Sequence, residues 1–360
     1  MKIIIIGLSR FTSPSGICRY AFNLTDILSG MDDVQVTLVV GKWQEDYYKN
    51  AFNWSSVNAD LEVISIKNNS LSRNLWFLFI LPLLFIRRNA TWLFFSFPIP
   101  FFSFLTPNVK IVTSIHDLYA FEYPQNFRFP FFNRIFTRMS AKSANVVSAL
   151  SNNTSESIKK NLPAYESKIV VNYTPFPYES IGEYDIIEDE YYLTVAQHRK
   201  NKNLDVLIRS FGELKKLTKD KKKLFIIGSN GPETQNLEDL VQQYNIEDYV
   251  VFLSGISDAE LKNYYLNCKC FILLSSNEGL GLPIIESLYY CKYVICSDIP
   301  VFREIDELNC NFINLQDDAV EQLIGYWLKG LRINTKFGIK DRRFDVDEIR
   351  KNYERLLEFN

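Results

Sequence analysis

The sequence predicts two doubly wound α/β domains in series, and three observations lead there. The chain has 360 residues, more than one hydrophobic core commonly holds. Short apolar, β-branched runs alternate along it with stretches of helical period, the pattern of parallel strands covered on both faces. Midway, a segment rich in proline, glycine and acid interrupts the alternation.

The first half predicts strands at KIIIIG (2–7), VQVTLVV (34–40), LEVISI (61–66), TWLFFS (91–96), KIVTSIHD (110–117), NVVSAL (145–150) and KIVVNY (168–173). The second half predicts them at YYLTVA (191–196), KKLFIIG (222–228), YVVFLSG (249–255), CKCFILLS (268–275) and YVICSD (293–298). The opening MKIIIIGLSR reads as a buried first strand, because its apolar run is too short for a signal peptide and a glycine turn follows. TPFPYESIGEYDIIEDE (174–190) reads as a connection, giving domains over 1–175 and 191–343 with a linker at 176–190. FDVDEIRKNYERLLEF closes the chain as a helix with an acidic first turn, expected to pack back on the first domain over 344–360.

Composition narrows the function. The formal net charge is −2 and no basic tail is present, which argues against nucleic acid as a partner. Six cysteines without a CxxC pair read as buried free thiols in a reducing cytosol. Aromatics make up 15% of the chain and crowd into residues 75–105. The two apolar runs there are about 12 to 14 residues long and broken by prolines, short of the ~20 that span a bilayer.

SSNEGLGLPIIES (275–287) carries the sharpest signal. A strand runs into a glycine turn, Pro283 suits a first helical turn, and helical period follows. Gly279 and Gly281 let backbone amides approach a ligand closely, and the helix start favours an anion. Glu286, one turn into the helix, and Glu278, before the turn, can accept hydroxyl hydrogen bonds on either side. A phosphate beside such carboxylates describes a nucleotide sugar. The bland alternative is a solvated loop. VAQHRKNKNLDVLIRSF (195–211) puts Arg199, Lys200 and Lys202 after the first strand of the second domain, where such folds bind ligands, and these cations suit a diphosphate. The histidines His116 and His198 both fall in loops expected to bind ligand, and Gly16 marks a loop-to-helix turn without a GxGxxG fingerprint.

With these segments in hand, the chain resembles the retaining glycosyltransferases of family four, which have the GT-B fold of two Rossmann-like domains facing a cleft. NEGLGLPIIES is similar to the E-G-F-G-L-P-x-x-E signature, and SGICRYAFNL, SIHDLYAFEYP, IIGSNGPE and VVFLSGISDAELKNYY extend the likeness along nearly the whole chain. The resemblance implies that Glu286 holds the donor ribose and Glu278 the sugar hydroxyls. The amides of Gly281 and Leu282 would hold the diphosphate, and Lys202 with Arg199 the leaving phosphate. His116 would touch the transferred sugar and Gly16 line the cleft. Two departures stand out: Gln197 where the family often has Arg, and YYCKYVIC where it has G-x-P.

Bacterial mannosyltransferases of O-antigen and exopolysaccharide assembly are the nearest resemblance. It implies GDP-mannose as donor, no cofactor or metal, and a polyprenyl-diphosphate-linked glycan acceptor met at the cytoplasmic membrane leaflet. UDP-hexose, N-acetylhexosamine or deoxysugar donors and a non-catalytic nucleotide-sugar-binding subunit are the alternatives. Trp76, Phe77 and Phe79, with Arg73, Arg87 and Arg88, are expected to form a peripheral membrane contact.

Overall fold

The computed structural model describes residues 1–360 apart from 13–14, 51, 53, 127–128, 177–190, 219–220 and 359–360. The expected linker therefore lies, from residue 177 onward, outside the described residues. The chain divides into two compact units, Met1–Pro177 with Arg342–Asn360, and Tyr178–Asp341.

The first unit is built on a parallel sheet of β1 (Lys2–Ile6), β2 (Gln35–Gly41), β3 (Asp60–Ile64), β4 (Trp92–Phe95), β5 (Lys110–Ile115), β6 (Val146–Ala149) and β7 (Ile169–Val171). Their order is β3-β2-β1-β4-β5-β6-β7, with Ile4 opposite Thr37 on one side and Leu93 on the other. Each predicted strand of this half is found. The run of isoleucines in β1 explains its central place: Ile3 and Ile5 join one core cluster and Ile4 and Ile6 another, so both faces are covered.

Ile3 and Ile5 pack under the helix Gly16–Ser29 and the terminal helix Val346–Glu358. Ser15 caps the first of these by accepting from the Cys18 amide at 3.4 Å. The terminal helix buries Ile349, Tyr353, Leu356 and Leu357 on one face. Tyr353 is 1% exposed, and its hydroxyl lies 3.3 Å from that of Tyr20, which in turn lies 2.7 Å from Ser114 Oγ. The end of the chain thus completes the core of its beginning.

On the other face, residues 70–88 form one continuous helix, where the sequence reads an apolar run over 75–88 broken by proline. A π-helical turn, Trp76–Ile80, joins two α-helical parts, and the Leu81 amide bonds back five residues to the Trp76 carbonyl. Pro82, with no N–H to place in the regular ladder, follows directly, so the local widening accommodates it. Trp76 and Phe77 are buried in the core rather than at an interface, since the sheet needs apolar cover there.

The second unit holds β8 (Tyr191–Val195), β9 (Leu224–Ile227), β10 (Val250–Leu253), β11 (Cys268–Leu273), β12 (Val294–Ser297) and β13 (Asn311–Ile313), parallel in the order β10-β9-β8-β11-β12-β13. The edge strand β13 was not predicted, because three residues containing an asparagine give no periodic signal. All six cysteines are buried free thiols.

Replacing Tyr353 by Ala should cost the first unit about 3–5 kcal/mol, the usual effect of deleting a buried ring. Urea unfolding followed by far-UV circular dichroism checks this, and a loss below about 1 kcal/mol would show that the terminal helix contributes little.

Candidate functional site

In the second sheet the strand order reverses between β8 and β11, and doubly wound sheets leave a crevice at that point beyond the carboxyl ends of the strands. The two predicted loops leave these neighbouring strands. After β8 comes a single 3₁₀ turn, Lys200–Lys202, and then Asn203 in the left-handed conformation (φ 48°) heading the helix Leu204–Leu217. After β11 comes the glycine turn and the helix Leu282–Tyr290, with Pro283 in its first turn.

The two loops are tied together. Asn203 Nδ2 donates to the Leu274 carbonyl at 2.7 Å, and the Ser276 amide donates to the Asn201 carbonyl at 2.9 Å. Across them, the Lys202 ammonium pairs with the Glu278 carboxylate, which also accepts from Ser275 Oγ at 2.8 Å. The Lys202 and Glu278 side chains are only 17% and 15% exposed, so their attraction is less screened than that of a surface pair. A cation and an anion thus stand side by side at the switch point. The cation suits a phosphate and the carboxylate suits hydroxyls.

Gly281 starts the helix with φ +83°, where a Cβ would lie 2.5 Å from Phe302 Cε1. The position excludes other residues on both counts, which leaves the helix start with bare backbone at its approach. Gly279 and Leu282 flank it, both partly buried. Glu286, one turn into the helix, accepts a hydrogen bond from the Tyr265 hydroxyl at 2.6 Å. Tyr265 is 1% exposed, and burial, reinforced by the Glu286 charge, raises its hydroxyl pKa well above the usual phenol range. The tyrosine therefore stays protonated and donates, fixing the carboxylate.

Arg199 lies at the exposed start of the 3₁₀ turn. His198, in the same loop, turns inward instead of toward a ligand. It is 1% exposed, its Nδ1 lies 2.9 Å from Thr234 Oγ1, and its ring meets Phe252 edge-on at 5.3 Å. The loop must pass close over residues 228–231, and the imidazole fills the space beneath it.

The first unit carries the remaining candidates. His116 directly follows β5, with Nε2 2.7 Å from the Ser96 carbonyl. A carbonyl only accepts, so Nε2 carries the hydrogen and the neutral ring presents Nδ1 as acceptor. Tyr20 meets this ring edge-on at 4.8 Å. Gly16 begins the same helix that bears Tyr20, and a Cβ there would touch nothing within 4 Å, so no packing contact requires glycine at this position. Nothing in the sequence marks Ser96, Tyr20, Tyr265 or Asn203, because each acts through a partner at least 20 positions away.

Two domain families account for most of the chain. Residues 14–179 match Glycosyltransferase Family 4 and residues 182–329 match Glycosyl transferases group 1. The protein belongs to the glycosyltransferases that join these two domains, and it is an enzyme of that class. Along 88% of its length it is 27% identical to the O-antigen chain mannosyltransferase RfbU of Salmonella typhimurium, covering 88% of that protein. It is 37% identical over 99 residues to the serotype-specific mannosyltransferase WbdA of Escherichia coli, which is 27% of this chain and 12% of that one. Among solved structures it is similar in fold to Anabaena HepE in complex with UDP and glucose, with TM-score 0.73 and 16% identity over 99% of both chains. The lipopolysaccharide glycosyltransferase WaaG is similar too, with TM-score 0.68 and 14% identity over 98% of this chain and 95% of that one. These likenesses give the GT-B fold of two Rossmann-like domains.

Both histidines should make stability depend on pH. Burial is the main cause that holds the pKa of each below 6.5, opposed by the Ser96 carbonyl and then Asp117 for His116, and by Glu238 for His198. The unfolded chain then binds more protons than the folded one as pH falls past about 6.5, and stability drops. Thermal unfolding should shift to lower temperature between neutral pH and pH ~5.5, and His198→Gln should flatten that shift. An unchanged midpoint over this range would contradict imidazoles that the fold holds neutral.

Proposed function

We propose that the protein transfers a hexose with retention, most simply mannose from GDP-mannose, to a polyprenyl-diphosphate-linked glycan in bacterial surface polysaccharide assembly. The observation that carries this reading is the Lys202–Glu278 pair at the switch point of the second sheet, in the loop that leads to the helix start at Gly281. The mannosyltransferase names of the similar proteins support the choice of sugar. A UDP-linked donor is the second reading, favoured by the nucleotide in the HepE structures.

In this reading the helix start of Leu282–Tyr290 receives the diphosphate through backbone amides and the dipole. Glu286, held by Tyr265, accepts hydrogen bonds from the ribose. Glu278 binds hydroxyls of the sugar, and in the first unit His116 presents Nδ1 as a hydroxyl acceptor. As the glycosidic bond to the β-phosphate breaks, negative charge gathers on the departing oxygen, and Lys202, aided by Arg199, stabilises it where it develops. The anomeric carbon becomes oxocarbenium-like. The acceptor hydroxyl attacks from the face the diphosphate is leaving, and its proton passes to the departing phosphate oxygen. Fixed cations and amides take the role that a metal ion would otherwise fill.

A thermal-shift screen of nucleoside diphosphates and nucleotide sugars tests the donor. GDP-mannose and GDP should raise the melting temperature, and the accompanying transfer activity should survive EDTA. Stabilisation by UDP compounds alone would replace the guanosine donor, and activity lost to chelator and restored by manganese would replace the metal-independent step. Glu286→Ala should weaken nucleotide binding by about 10- to 150-fold, the worth of a charged hydrogen bond of roughly 1.5–3 kcal/mol. Unchanged affinity in calorimetry would remove Glu286 from the ribose.

A further inference from the structure

Residues 63–155 differ from the rest of the chain in charge. They hold nine Lys and Arg against two acids, Asp117 and Glu122, a net of +7 in a protein whose total is −2. The helix of residues 70–88 lies in this stretch. One side of it is core: Trp76, Phe77, Leu81 and Phe85 pack in the cluster that holds Ile4, Ile6, Leu93 and Phe95. The other side is an apolar ridge, with Leu71, Leu75, Phe79, Leu83 and Ile86 all exposed, Phe79 by 63% and Leu83 by 61%. The spacing of four, four, four and three keeps these side chains in one line. Exposed Lys67 precedes the helix and exposed Arg87 closes it, next to Arg88, which pairs with Glu62 at 2.9 Å.

Phe101 meets Phe85 edge-on at 6.5 Å, and the chain leaving Phe101 exposes Phe102 and Phe104, the latter by 73%. A second exposed aromatic group, Phe129, Phe131 and Phe132, belongs to the same acid-poor stretch.

We propose that this face docks on an anionic phospholipid bilayer, with the helix lying in the plane of the membrane. The ridge enters the boundary between headgroups and acyl chains, where its apolar area leaves water, while the flanking cations meet lipid phosphates. Charge selects this occupant. A second copy of the chain could cover the ridge only by bringing one basic stretch against another. A nucleic acid would satisfy the cations and leave the ridge in water. The helix, 19 residues long and apolar, has the reach to cross a bilayer. Crossing would strip Trp76, Phe77, Leu81 and Phe85 from the sheet, so the core holds it flat. The proposal rests on the glycosyl-transfer reading only for its purpose, a lipid-borne acceptor. Vesicle binding is read without turnover, so either can fail alone.

Co-sedimentation of the full chain with vesicles of phosphatidylcholine, with and without phosphatidylglycerol, tests it. The protein should bind the anionic vesicles at low salt, leave them at high salt, and ignore the neutral ones. Phe79→Ser with Leu83→Ser should abolish binding while the unfolding curve stays unchanged, since both side chains already face water. Lys67→Glu with Arg87→Glu should weaken binding at least about 30-fold, from two cations worth ~1 kcal/mol each near the surface. No binding to anionic vesicles at low salt, equal binding by the Phe79/Leu83 variant, or binding that resists alkaline carbonate would overturn the proposal. So would light scattering that shows a dimer dissociated by the Phe79/Leu83 changes.

Discussion

The ion pair between Lys202 and Glu278 is the constraint on which the candidate site depends. It joins the loops that leave β8 and β11, the neighbours between which the second sheet reverses its order. Two backbone-directed bonds, from Asn203 and Ser276, hold the same loops, so the charges meet without either long side chain having to search for its partner. Each charge satisfies the other, and partial burial makes the arrangement stronger than a surface pair. In the function proposed above, a diphosphate arriving beside Lys202 would compete for that cation. A carboxylate released from part of its pairing then has acceptor capacity for hydroxyls. Binding and placement of a sugar nucleotide would thus be one event at one pair of side chains.

The remaining pieces are fixed just as firmly. Phe302 and a positive φ leave no room for a side chain at residue 281, which keeps backbone at the helix start. Tyr265, protonated because it is buried, holds Glu286 in place. In the first unit Ser96 sets the tautomer of His116, and Tyr20 supports its ring while reaching Ser114 and Tyr353 with its hydroxyl. Through Tyr353 the terminal helix has a hand in where that imidazole stands.

Much of this could be read from the sequence, and the exceptions have physical causes. Strands such as KIIIIG are covered on both faces, so their apolar runs are continuous and twelve of them were found, while the three-residue β13 carries no such run. Glu278, Glu286, Gly281 and Lys202 were legible because glycine turns and clustered charge leave marks in sequence. That Lys202 pairs with Glu278, 76 positions away, was not, since strand order decides it. His198 looked like a ligand-facing residue and is a filler beneath a tight loop. Trp76 and Phe77 looked interfacial and are core. Pro82 looked like a break and is absorbed by a π-helical turn, which hid the length of that helix. In each of these cases residue type was clear and direction was not.

In the proposed function Lys202 and Glu278 serve the two halves of one donor molecule, phosphate and sugar. Calorimetric titration of Lys202→Ala and Glu278→Gln, each with the nucleoside diphosphate and with the matching nucleotide sugar, tests it most directly. Lys202→Ala should weaken both ligands. Glu278→Gln, which frees the lysine and removes a negative charge, should leave the diphosphate bound as tightly or more tightly and weaken only the nucleotide sugar. If Glu278→Gln weakens the bare diphosphate as much as Lys202→Ala does, the pair merely holds two loops together and the account is wrong.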